Sequence, residues 1–283
     1  MSAYSVDGTA SVRVEIEVGS VRVIARARED VAVDVSPSNP NRGGDRAAAE
    51  AVRVDQTGGE IVVRGPHKPR IFGAGKDSVE LVVEVPEASD VAAVVKFGSA
   101  RLAGRFGAVR AEVPFGELSV DSAERLELKG GHGDYRVTHV AGDADLRFKS
   151  GMMRVGHVGG RLQLTGADGP ITVDRVDGPA EVKTSSGSLE IGTTAANATI
   201  RAAYGGIHVR EAIRGVVRID GSYGSVDVGV RSGTAVWLDA TSQHGVVRTD
   251  LAADSGPGSG EDTLELHIRT GYGSIDVHRS EGS

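Results

Sequence analysis

Apolar and polar residues alternate along most of this chain, and the alternation itself recurs with a fixed period. A glycine marks each recurrence, at Gly98, Gly116, Gly133, Gly151, Gly169, Gly187, Gly205, Gly224, Gly245 and Gly273. The first six intervals are 18, 17, 18, 18, 18 and 18 residues, and the later ones are 19, 21 and 28. A fixed period of this kind is typical of repeat architectures.

Each repeat contains two stretches with a period of two. After Gly187, for example, Leu189 and Ile191 alternate with polar residues, and Ala198 and Ile200 begin a second alternating stretch. Alternation with period two predicts a strand with one buried face. One repeat therefore predicts a strand, a turn, a second strand and a second turn.

The repeat predicts how these strands are stacked. A single repeat cannot cover its own apolar face, whereas stacking in register buries a continuous core and places equivalent strands side by side. The chain is therefore predicted to be all-β, a parallel β-solenoid of about 18-residue coils with two strands per coil and two facing parallel sheets. An antiparallel sandwich with short hairpins ranks second, because it gives no reason for a constant register.

The repeat also suggests the domain organisation. We expect a single solenoid domain over 1–283, in which 1–93 forms less regular coils and loops and 94–251 forms regular coils. A flexible Gly/Ser/Asp-rich insertion is predicted at 252–263, followed by a closing coil and tail at 264–283. Within the first part, Gly58-Gly59 predicts a hairpin turn, and the RAAAEA sequence at 46–51 predicts a short helical turn.

The amino-acid composition argues against several classes of function. The 40 glycines and 4% aromatic residues suit a thin core with many corners. A net charge of −7 argues against a nucleic-acid partner. The absence of cysteine excludes disulfides and thiolate metal sites. The sequence shows no signal-like start and no apolar run long enough for a membrane span, so a cytoplasmic location is expected, with envelope association as the alternative.

Three stretches resemble a known family. They are the opening SVRVEIEVGSVRVIARARED, the recurring S-x-G-x-[LIV]-x-[VI] corner and the closing TGYGSIDVHRS. They resemble a bacterial β-strand-repeat family of the putative adhesin or "toastrack" type, which began as a domain of unknown function. The resemblance covers essentially the whole chain and is carried by the number and spacing of the motifs. It implies a parallel β-solenoid and a non-enzymatic surface or scaffold role, without catalytic residues.

Exposed aromatic residues are the candidate partner-binding sites. The residue before each corner glycine forms a column that includes Phe97, Phe115, Tyr204, Tyr223 and Tyr272. Such a column either receives a partner or serves only to cover the corner, its rings packing on one another. Trp237 lies between two inward-facing residues and is therefore expected to point outward, either as an interface anchor or covered by the insertion that follows.

The sequence gives only weak signals for a metal site or a catalytic site. His139 and His157 lie one repeat apart, but Arg175 takes the next equivalent position, so no third ligand is available. Outward acids alternate with arginines, and neither a Gly-x-Ser-x-Gly nor an HExxH motif occurs. We therefore predict no metal, no cofactor and no catalytic residue.

The sequence favours a non-catalytic interaction or scaffold protein that binds a protein or cell-envelope partner through its outer sheet face or aromatic edge. A self-assembling filament, built from end-to-end homo-oligomers instead of monomers, is the alternative, because solenoid ends expose unpaired strands. A solenoid enzyme acting on polysaccharides ranks third.

Overall fold

A computed structural model describes residues 2–66, 77–251 and 262–280. The chain divides into two compact units, unit 1 (Met1–Ala141) and unit 2 (Gly142–Ser283). The predicted insertion at 252–263 and the end of the predicted tail lie largely outside the described residues.

Unit 1 is organised around its second strand, whose first and second halves both pair with other strands. Its elements are β1 (Ser2–Ser5), β2 (Ser11–Arg26), β3 (Asp30–Pro37), α1 (Gly43–Glu50), β4 (Arg53–Thr57), β5 (Glu60–Arg64), β6 (Val79–Pro86), β7 (Asp90–His132) and β8 (Tyr135–Val140). Strand β2 runs parallel to β5, β6 and β7. Its alternate residues Val12, Val14 and Ile16 are buried, so the period of two identifies the core face as predicted.

Antiparallel strands flank the parallel part of unit 1. Strand β3 pairs antiparallel with β6, β1 with β3, and β4 with β5. The last pair confirms the predicted hairpin, since Gly58 and Gly59 turn the chain with φ of 59° and 86°. Helix α1 packs against β3 and β6 and begins three residues before the predicted helical turn. No helix in the described part of the chain is long and apolar enough to cross a membrane.

Unit 2 contains the regular coils, with strands alternating between two sheets. They are β9 (Ala144–Ser150), β10 (Met153–Val158), β11 (Leu162–Asp168), β12 (Ile171–Val176), β13 (Ala180–Ser186), β14 (Leu189–Thr194), β15 (Ala198–Tyr204), β16 (Ile207–Ala212), β17 (Gly215–Tyr223), β18 (Val226–Val230), β19 (Ala235–His244), β20 (Val247–Thr249), β21 (Thr263–Tyr272) and β22 (Ile275–Arg279).

Equivalent strands of unit 2 pair in parallel, one repeat apart. Val173 pairs with Ile191 and Ile191 with Val209, and all three side chains are buried. The predicted parallel β-solenoid, with about 18 residues and two strands per coil, is therefore confirmed.

The order of the last coils in space differs from their order in the sequence. Strand β21 lies between β17 and β19, and β22 lies between β18 and β20. The coil expected to close the array is therefore an inner coil. The coil formed by 235–249 is paired on one side only among the described residues.

The corner glycines stack backbone on backbone. Gly187 has φ of 113°, and a Cβ there would overlap the carbonyl oxygen of Gly169 on the neighbouring coil. The Gly187 N–H donates in turn to the carbonyl of Tyr204 at 3.0 Å. A positive φ and a close backbone approach both require glycine at this corner, which explains the period that marks the sequence.

Candidate functional site

Three tyrosines form a continuous stack along one corner of unit 2. The ring centroids of Tyr204 and Tyr223 are 5.1 Å apart, and those of Tyr223 and Tyr272 are 4.9 Å apart, with interplanar angles of 6° and 1°. His244 ends the stack at 4.5 Å from Tyr272. The three tyrosines, which we call the tyrosine row, are 58%, 48% and 47% exposed.

Strand register builds this row. Each tyrosine directly precedes a corner glycine, and the strands pair Tyr204 with Tyr223 and Tyr223 with Tyr272. Along the sequence, His244 stands between Tyr223 and Tyr272. Because β21 inserts between β17 and β19, the histidine moves to the end and the tyrosines become neighbours. The sequence predicted the column, but the order along the chain places His244 next to Tyr223, whereas in the structure Tyr272 is the neighbour of Tyr223.

The packing of the rings decides what the row offers to a partner. Each inner ring has both faces covered by its neighbours, as the packing interpretation of the column predicts. The rings nevertheless stay about half exposed through their edges and hydroxyl groups. A partner therefore meets a strip of positively polarised ring edges and phenol hydroxyls, which donate and accept hydrogen bonds.

Unit 1 carries a second, shorter stack at its own corner. Phe97 and Phe115 are 5.0 Å apart and nearly parallel, and Phe115 stacks on His132 at 5.5 Å. Both phenylalanines are partly exposed. This stack lacks hydroxyl groups, so it offers only apolar surface and the histidine.

An open groove of about 470 Å³ lies beside Phe97 in unit 1. Its polar lining consists of Ser20, Ser38, Ser78, Ser99, Glu80 and Glu117. Two of these serines are joined by a hydrogen bond of 2.8 Å between their hydroxyls, Ser38 and Ser78. The sequence did not predict this groove. Ser38 and Ser78 belong to the irregular first part of the chain, where no period indicates which residues become neighbours.

Trp237 lies apart from the tyrosine row. It is 55% exposed on β19, and its ring packs at 4.9 Å on His267 of the neighbouring strand. His244, at the corner, lies seven positions further along the chain, which is about 23 Å along an extended strand. Trp237 therefore points outward as predicted, but it cannot share one small contact site with the tyrosines.

The outer face of unit 2 carries paired charges. The Asp177 carboxylate lies 2.7 Å from both His157 Nε2 and an Arg175 guanidinium nitrogen. The hydrogen bond from His157, followed by that from Arg175, lowers the pKa of Asp177. His157 is thus engaged with a carboxylate, and no cluster of three metal-ligating side chains occurs among the residues that the structure describes.

A second charged group joins two histidines to one carboxylate. Asp227 lies 2.7 Å from His208 Nδ1 and 3.4 Å from His278 Nε2. The pKa of His278 is raised, first by its hydrogen bond to the Arg279 carbonyl and then by Asp227. These contacts fit the mixed, solvated outer face that the sequence predicts.

No protein-family model matches the sequence, and no curated protein matches it. The chain is similar to solved structures of putative adhesins. One, from Parabacteroides merdae, shares 11% identity over 98% of this chain and 94% of its own, with a TM-score of 0.45.

Two further structures are comparable in coverage. A putative adhesin from Bacteroides fragilis shares 10% identity over 98% of this chain and 95% of its own, with a TM-score of 0.37. A putative cell adhesion protein from Clostridium sporogenes shares 12% identity over 98% of both chains, with a TM-score of 0.22. The tyrosine row is defined by the geometry of this chain alone.

Proposed function

We propose that this chain is a non-catalytic, adhesin-like interaction protein that binds a protein or cell-envelope partner through the tyrosine row of unit 2. The observation that carries the proposal is the stack of three half-exposed tyrosines with a spacing near 5 Å. Tyrosine is enriched in protein interfaces because it supplies a large contact area together with a polar group.

The row is preorganised for binding. Neighbouring strands fix the backbone on both sides of Tyr223, and the adjacent rings restrict its side-chain torsions. Ordering a flexible side chain at an interface costs about 0.5–1.5 kcal/mol. Because all three tyrosines are already ordered, a partner that binds the row avoids much of this entropic cost for each of them.

The chemistry of the row favours an extended partner. Its hydroxyl groups repeat along the stack, so a strand-like peptide or a linear glycan of the cell envelope meets several of them at once. The buried ring faces disfavour a single sugar that requires an open aromatic platform. Trp237 and the phenylalanine stack stay secondary candidates for partner binding.

Binding to immobilised peptidoglycan and to peptide and glycan arrays tests this function. We expect the triple variant Tyr204→Ser/Tyr223→Ser/Tyr272→Ser to bind roughly tenfold more weakly than wild type. The control, Tyr4→Ser on β1 of unit 1, lies outside every candidate site and should bind normally. Equal binding by the triple variant and wild type, or no binding of wild type to any probe, contradicts the proposal.

A further inference from the structure

The coil formed by 235–249 leaves an edge of unit 2 open. Strand β19 pairs with β21 and β20 pairs with β22, and neither has a second neighbour among the described residues. Within the described part of unit 2, both sheets therefore end at this coil, which we call the edge coil.

Apolar side chains of the edge coil lack the layer that covers their equivalents. Val247 is 40% exposed, whereas Ile275, its partner one coil inward, is completely buried. Leu238 is half-buried, whereas its partner Leu266 is completely buried. One further coil of the same kind would bury these residues.

One side of the edge-coil backbone has no strand partner among residues 2–66, 77–251 and 262–280. The Ala235 N–H donates to the Asp262 carbonyl at 3.0 Å, on the side of β21. Because successive N–H groups in a strand point to opposite sides, those of Val236, Leu238 and Ala240 face away from β21. Unpaired groups in a row of this length are a template for another strand.

The edge coil itself lacks the residues that usually protect a sheet edge. The sequence AVWLDATSQHGVVRT at 235–249 contains neither lysine nor proline. Its one acid, Asp239, and its one arginine, Arg248, give it no net charge with histidine neutral, although the chain carries −7. Two edge coils therefore meet without net like-charge repulsion. In the described part of unit 1, by contrast, the strands with a single neighbour are β1 and β4, which are short and antiparallel to that neighbour.

We infer that the edge coil binds the edge coil of a second copy of this chain. A single extended peptide covers only one of the two open sheets, whereas a coil covers both and adds an apolar layer between them. The edge coil itself is such an element. A twofold axis that relates two copies makes the paired strands antiparallel and leaves no open edge, so the assembly is a closed dimer.

Light scattering after gel filtration over a wide concentration range tests the dimer. Wild type should reach the mass of two chains and stop there. Ala240→Pro should stay at one chain, because proline is tolerated on an edge strand where its missing N–H faces solvent, yet it blocks pairing at that edge. An unchanged circular dichroism spectrum checks that the variant folds, and the triple tyrosine variant of the binding test should still dimerise.

Single cysteines locate the contact independently of that variant, since the chain has none of its own. Cysteines placed in turn at Trp237, Asp239, Thr241 and Gln243 should form disulfides between copies, with a maximum near the middle of β19. Thr199→Cys, on an inner strand, should not cross-link. A one-chain mass at every concentration, a mass that climbs beyond two chains, or cross-linking without a maximum overturns the inference.

Discussion

The stacked corner glycines make a quantitative prediction at Gly187. Replacement by alanine adds backbone strain at a φ of 113°, which costs about 1–3 kcal/mol. The new Cβ also overlaps the Gly169 carbonyl oxygen and lies 2.5 Å from its carbonyl carbon. Relieving that overlap requires two hydrogen-bonded coils to shift, and overpacking of this kind costs roughly a further 1–3 kcal/mol.

The matched control is Gly233→Ala, also in unit 2. Gly233 has φ of 80°, but an added Cβ would have no neighbouring atom within 4 Å. Alanine therefore adds strain there without overlap. Both changes reduce the entropy of the unfolded chain equally, a gain of about 0.4–1 kcal/mol that cancels in the comparison.

We expect Gly187→Ala to lower the free energy of unfolding by about 2–5 kcal/mol, and by about 1–3 kcal/mol more than Gly233→Ala. Urea unfolding followed by circular dichroism measures both values. Equal losses for the two variants would refute the reasoning, because the close approach of the two corner backbones would then contribute nothing.

Two further predictions concern charged groups. The buried Asp45 carboxylate accepts hydrogen bonds from the backbone N–H groups of Asn39 at 3.0 Å and Ser78 at 3.2 Å. Asp45→Ala should therefore lower the free energy of unfolding by about 2–3 kcal/mol, and Asp45→Asn should lower it less. Urea unfolding measures both values, and an Asp45→Ala variant as stable as wild type would contradict the prediction. The raised pKa of His278 means that its stabilising effect is fully present below the ordinary histidine value of 6.5 and is lost as pH rises through the folded-state pKa. As pH rises above 6.5, the melting temperature of wild type should therefore fall more steeply than that of His278→Gln. Parallel pH profiles of the two proteins would show that His278 contributes nothing to stability.

Sequence reasoning succeeded where the repeat is strict. The period predicted the parallel coils and the buried positions, because each corner glycine fixes where the next coil begins. The period says nothing about strands β1, β3 and β4, whose antiparallel pairing arises from loops without a repeat. It also does not determine which coil pairs with which after the 28-residue interval that ends at Gly273, so the neighbours of Tyr272 could not be predicted.

The insertion of β21 and β22 between earlier strands has a consequence for folding during synthesis. Strands β19 and β20 leave the ribosome before β21 and β22, and they first meet the open edge of β17 and β18. In the final structure that edge belongs to β21 and β22. Correct folding therefore requires the edge to stay vacant, or an early non-native pairing to dissociate, until β21 and β22 have been made. Chain order therefore leaves a competing non-native pairing open to this protein during synthesis.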